Sequence, residues 1–557
     1  MLHRCLVLTL VCCGVASAGE VAPAPRMLPD PPMPLTGLAP SKLVPNLCLL
    51  KYPISTSSGQ CQQLCDQGLG FYYSYVWLES ARSFETALKY DPDCAMAWLG
   101  LYKALEKWGS GAKTPSPNAF LALGGTAWQG KVPDRFTKSP RDVCLDQAKA
   151  LLGKASHREQ LLITAKLQEK GLLPNVGPDE RKKKAIGTLD ELLALYGDDE
   201  EGWFARAQIA DGQYAPAPFY KMLLKVNPLH PGANHEFVHF YENIQRPALG
   251  WPYAEKYIAS SPGIPHAFHM QAHLGMRIGK WQQTTDWSWK AVELQKAYHA
   301  FQGVKPSDDH QFNHHMETLT RSLVHDGRFT EAKTIQADAK GYGYTYKPEW
   351  FRMAVTLKDW AETKATIDAM RKLDKPGAAY HAAVVALEQG DVLKAQAEVD
   401  VLRESTNKKG GSANRSEYRT WEVQARLLCQ TGQSEAGCKL FKRIIEKTKD
   451  NFGHHAWGGG AYYMEVWGTS VLDCGLAIEA EEAFLEALAH DPGSVRAALG
   501  LWALCERLGR TDEAYRYLKV AQKSWAKAEP KDFESLKAEM AKRAGKVANV
   551  ESVTKPN

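Results

Sequence analysis

This chain of 557 residues has no charge excess that would mark a nucleic-acid partner, because 68 Lys and Arg interspersed with 63 Asp and Glu leave only +5. A basic stripe is the footprint such proteins carry, and the single basic run, Arg181 to Lys184, follows two acids as a solvated helix face does. Beyond the first residues no segment is long and apolar enough to cross a bilayer. Strand signals are scarce. The twelve cysteines form neither a CxxCH haem attachment nor a paired CxxC zinc motif. Gly458, Gly459 and Gly460 are not followed by Lys-Ser, which excludes a phosphate loop.

Residues 1–18 carry the marks of a secretory signal, with Arg4 ahead of an apolar run and Ala16-Ser17-Ala18 as a small-residue cleavage site. Export to the periplasm or exterior is therefore expected, and disulfides become permissible among the nine cysteines beyond the signal. Cys429 and Cys438 flank a predicted hairpin turn and are placed to face each other; Cys61 and Cys65, one helical turn apart, are within reach of Cys94. Residues 19–58 are dense in proline and read as an extended arm.

From residue 59 the periodicity is helical. His235 and His239 share one helix face, as do His269 and His273, and each of the second pair lies 34 residues after its counterpart. Pro228 and Pro262 repeat the same 34, and a third pair, His310 and His314, follows after 41. Thirty-four is the period of the tetratricopeptide repeat (TPR), a helix-turn-helix unit that stacks into a solenoid. Gly68, Ala81, Phe84, Ala87 and Pro92 fall in that repeat's order, as do Gly468, Ala480, Phe484, Ala487 and Pro492. Glycine turns are expected at 197, 279, 327, 390, 432 and 509, with a mobile loop at 404–416 and an irregular one at 107–141. The expected fold is all-α: a TPR-like α-solenoid, a right-handed superhelix of helix hairpins over 59–530, with 531–557 as capping helix and tail.

DQGLGFYYSY, DPDCAMAWLG, ASHREQLLITA, HPGANHEFVH and PHAFHMQAHLGMRIGKW resemble a family of exported bacterial TPR proteins of uncharacterised function, from about Gly59 to Trp525. The chain departs from that family at Glu236, where relatives carry an aromatic, in the 300–315 region and around NFGHHAWGGGAYY. The resemblance implies the solenoid and an extracytoplasmic setting, and no reaction. It also implies that the first helix of each unit lines a concave groove. That would place His235, His239, Glu242, His266, His269, His273, Arg277, His310 and His314 along the trough.

Three functions follow. A groove of this kind captures a protein or peptide segment, and this binding role, without a catalytic group, is the leading expectation. Neutral imidazoles on neighbouring helices, about 8–10 Å apart, could instead bring His235, His239, His269 and His273 onto Zn or Cu. HEFVH also matches HExxH, which would make Glu236 the base of a zinc hydrolase. Trp457, Tyr462 and Tyr463 suggest an aromatic floor or inter-repeat packing.

Overall fold

The computed structural model describes residues 32–111, 139–174, 177–344, 348–407, 415–449 and 461–548, which hold twenty-five α-helices and no strand. The signal-like segment, most of the irregular loop, the centre of the 404–416 loop and Trp457 lie outside these residues. The helices form successive antiparallel hairpins, and the chain is a TPR-like α-solenoid.

The sequence sets the punctuation. Ser58, Ser139, Asp199 and Ser494 cap helix N-termini by accepting a backbone N–H, and Pro231, Pro247 and Pro265 open helices where the missing N–H costs nothing. Gly279, Gly327, Gly390, Gly432 and Gly509 all adopt the left-handed conformation that ends the first helix of a hairpin; Gly197 does not.

Packing within the units follows from two aromatic wedges. Phe84 sits between Gly68 of the preceding helix and Gly100 of the next, and Phe484 sits in the same way between Gly468 and Gly500. Both rings are buried, each beside fully buried alanines such as Ala81 and Ala480. Burying one such ring contributes about 1.5–3 kcal/mol. The glycines let the helix backbones approach the ring faces.

The coil does not stay quasi-one-dimensional. Residues 32–58 run as an irregular strap through the N-terminal half. Leu35 and Thr36 donate backbone N–H groups to the Glu85 carboxylate (2.5 and 2.9 Å), and Leu49 N–H donates to the Ser260 carbonyl at 2.8 Å. The Gly59–Tyr73 helix also touches the Pro231–Asn243 helix, some 160 residues on, which closes the first turn of the superhelix.

The C-terminal units fold back as well. Trp281 stacks on His325 with centroids 3.6 Å apart and donates its indole N–H to Asp491 at 2.9 Å. Trp525 packs over Gly327 and donates to the His325 carbonyl at 2.6 Å. One buried cluster consequently spans residues 35–237 and another 292–547.

Candidate metal centre

Three neighbouring inner helices build the histidine site: Pro231–Asn243, Pro265–Arg277 and His310–His325. His230 anchors the first, accepting the Ala233 N–H on Nδ1 at 3.1 Å. Spacings of three and four then put His235, His239 and Glu242 on one face of that helix and His266, His269, His273 and Arg277 on the matching face of the next.

The side chains meet in three overlapping triads. One nitrogen from each member lies within 4.8 Å of the others in His235–His239–His266, in His266–His269–His315 and in His269–His273–His314. His235 and His266 approach Nε2 to Nε2 at 3.2 Å. The His269 ring centroid lies 4.2 Å from that of His273, 4.3 Å from His315 and 4.6 Å from His314.

These residues share a face, but that face is not an open trough. His235, His266, His269 and His273 are all buried. The cover is the turn of the first hairpin: Tyr75 takes a left-handed φ of 58°, costly for a tyrosine, and lays its ring parallel to His239 at 5.6 Å. Gln311 reaches the Tyr75 carbonyl at 3.1 Å from the other side. Tyr75 thus fills the space over His235, His239 and His266 that a regular solenoid would leave open.

Tautomers can be assigned from the partners. His235 Nδ1 lies 2.6 Å from the Tyr73 carbonyl, which only accepts, so Nδ1 carries the proton and Nε2 presents its lone pair to the cluster. His315 Nδ1 lies 2.6 Å from Gln295 Oε1, and the Gln295 amide N–H donates to Asp309, which gives His315 the same tautomer. Backbone carbonyl and side-chain carboxamide acceptors of this kind orient metal-binding imidazoles.

Burial, with neighbouring imidazoles adding to it, holds His235, His266 and His269 well below the ordinary histidine range. Burial also lowers His273, against the pull of Glu242. These four imidazoles are therefore neutral at physiological pH. Glu242 is the counter-charge. Burial works against its ionisation, but His273, His239 and Arg277 overcome that and hold its carboxyl far below the usual range. Arg277 donates to it through Nη2 at 2.5 Å and Nε at 2.7 Å.

Several polar atoms in this shell have no hydrogen-bond partner: His239 Nε2, His266 Nδ1 and both nitrogens of His269, which is 1% exposed. A neutral imidazole always carries one N–H, and an unmade buried donor costs about 1–3 kcal/mol. Ligands at 2.0–2.1 Å from a tetrahedral ion stand about 3.3 Å apart, close to the His235–His266 separation of 3.2 Å.

Two expected residues fall elsewhere. The side chain of His310 lies outside the described residues, and the third helix contributes His314 together with His315, which does not share the four-residue spacing. Glu236 accepts from the Tyr75 hydroxyl at 2.9 Å, and that ring stands against His235 and His239. The signal that could have revealed His315 is its place one residue after His314, where two adjacent residues straddle the facing helix.

No family model and no curated protein matches the chain. Among solved structures it is similar to yeast Tom70, at 14% identity over 87% of this chain and 95% of that one, with a TM-score of 0.24. It is also similar to the APC/C hetero-tetramer Cut9-Hcn1, at 10% identity over 83% and 90%, with a TM-score of 0.30. The TPR domain of P58(IPK) aligns at 11% identity over 83% and 99%, with a TM-score of 0.21. Likenesses this slight carry no argument about what the chain binds.

The cysteines are free thiols among the described residues, Cys429 and Cys438 included. The Cys474 thiol donates to the Cys429 carbonyl at 3.5 Å, and Gly437 packs against the Cys429 sulfur. The sulfurs of Cys61, Cys65 and Cys94 lie within 4.8 Å of one another.

Proposed function

We propose that this helical-repeat scaffold is an exported metal-binding protein whose buried histidine ladder holds Zn²⁺ or Cu²⁺. The observation that carries this reading is His269, sealed from water with neither ring nitrogen hydrogen-bonded and four other imidazoles around it. Neutral nitrogen donors suit these late first-row ions. The outer triads, His235–His239–His266 and His269–His273–His314, share no residue, which leaves room for two ions. His235 and His315 act as oriented ligands, and Glu242 with Arg277 supplies a fixed polar border beside them. Tyr75 lies over His235, His239 and His266, which leaves those three out of any open groove for a protein partner.

The test is elemental analysis of the untagged full chain, followed by titration of Zn²⁺ and Cu²⁺ into chelator-stripped protein. One or two ions per chain are expected, falling by at least tenfold in affinity in His235→Ala and His269→Ala. Metal-free protein whose titration is the same in both variants overturns the proposal.

A further inference from the structure

The C-terminal half encloses a cleft of about 710 Å³, walled by inner helices from His310–His325 round to Pro530–Ala544. This volume is typical of a small-ligand site. It is independent of the histidine triads except that His314 reaches its edge. Charged and apolar side chains share the wall, and most of its guanidiniums are committed. Arg321 pairs with Glu349 at 2.6 Å, Arg426 with Glu388 at 2.5 Å, and Arg543 with Asp473 and Glu539.

Arg352 and Arg419 differ. Neither has a carboxylate at ion-pair distance among the described residues; each lies over a tyrosine face instead, Arg352 on Tyr462 at 4.3 Å and Arg419 on Tyr380 at 4.9 Å. The two tyrosines are locked together. Their hydroxyls are 3.2 Å apart and both donate to the buried Glu422, at 2.8 and 2.9 Å. Two cations are thus held on adjacent rings with their hydrogen-bonding edges unspent. Stacking fixes a guanidinium plane while leaving its in-plane donors for a ligand.

We propose that this cleft binds a carboxylate-bearing small ligand, clamped by Arg352 and Arg419. The planar, bidentate fork of arginine matches a carboxylate. The acids that share the wall, among them Glu349, Glu388, Glu465 and Asp491, repel a phosphate carrying two charges and tolerate a single carboxylate. His381 adds no positive charge to the site. Burial first, with Arg419 and Arg352 adding to it, brings it down to about 4. The carboxylate has two sources: the C-terminus of a short peptide, or a small organic acid.

The test is equilibrium dialysis of the full chain, read by mass spectrometry, against three pools. These are random tetrapeptides with free C-termini, the same peptides amidated, and C3–C8 monocarboxylic acids. Retention of the free-acid peptides at least tenfold above the amides identifies a peptide terminus; retention of the organic acids alone identifies the other source. Arg352→Met and Arg419→Met, which keep the packing on tyrosine, should each lower retention at least tenfold with unchanged circular dichroism. Arg352→Lys, which keeps the charge but loses the fork, should fall nearly as far. Retention of neither acid pool above the amides, or retention unaffected by both Met variants, overturns the proposal.

Discussion

His235 and His266 point their Nε2 atoms at each other across two neighbouring helices, 3.2 Å apart, while Tyr73 holds the far side of the His235 ring. A proton or a metal ion can fill that gap, and His269 tells the two apart. In a purely hydrogen-bonded ladder each imidazole should matter to stability. In a metal site, His269 is a burden until the ion arrives. His269→Leu should therefore leave metal-free protein unchanged or raise its stability by about 1 kcal/mol, and should diminish the rise in melting temperature on adding Zn²⁺, since the His235–His239–His266 triad remains. His235→Leu should destabilise metal-free protein by about 1–3 kcal/mol, because it strands the Tyr73 carbonyl. Scanning calorimetry with and without Zn²⁺ separates the four numbers.

Glu242 is the only carboxylate that contacts both Arg277 and the imidazoles of His239 and His273 among the described residues, and it is almost fully buried. Neutralising it removes the carboxylate that faces the buried Arg277 guanidinium. Glu242→Gln should cost about 3–5 kcal/mol in urea denaturation. The double variant Glu242→Gln with Arg277→Met should recover most of that loss, since the isolated charge is gone.

The repeat was legible because glycine, alanine and phenylalanine recur where two helices must approach closely. The histidines were legible as faces of neighbouring helices, but not as partners: His235 meets His266, 31 positions on, and not His269, 34 on. What the sequence could not reveal is tertiary closure. Tyr75 covers the histidine face only because the superhelix returns the first hairpin to the Pro231–Asn243 helix, and no periodicity encodes that return. The pairing of Arg352 with Tyr462 spans 110 positions and two different helices, so no local motif announces it. Cys429 and Cys438 suggested a bridge by flanking one turn, but both are free thiols, and Gly437 packs against the Cys429 sulfur.

Gly500 tests the wedge. A methyl group there would run into the Phe484 ring, which is fully buried and already touches Gly468 from the other side. Helix propensity alone favours alanine over glycine by about 1 kcal/mol. Overpacking a core costs about 1–3 kcal/mol, and the ring has no free side to move into. Gly500→Ala should thus destabilise the chain despite its better propensity. Gly500→Ala with Phe484→Leu should regain stability, measured as a shift in the urea midpoint.

The clasp that returns the C-terminal units to the middle of the chain should depend on pH in a defined direction. His325 donates to Asp491 Oδ2 at 2.8 Å while Trp281 stacks on its ring. Burial would lower His325, but Asp491 overrides it and raises the folded value; Asp491 in turn is lowered by His325 and Trp281 against the effect of burial. A raised histidine contributes fully below its unfolded value of about 6.5 and is lost as pH climbs through the folded one. A lowered aspartate contributes above about 3.9 and is lost on acidification. The clasp is therefore strongest between those limits. Asp491→Asn keeps the shape and removes the charge. It should cost about 3 kcal/mol at pH 6, and the gap to the unaltered protein should narrow steadily from pH 7 to 9. A gap constant across that range would mean that His325 is neutral in the folded chain and that stacking on Trp281 alone closes the coil.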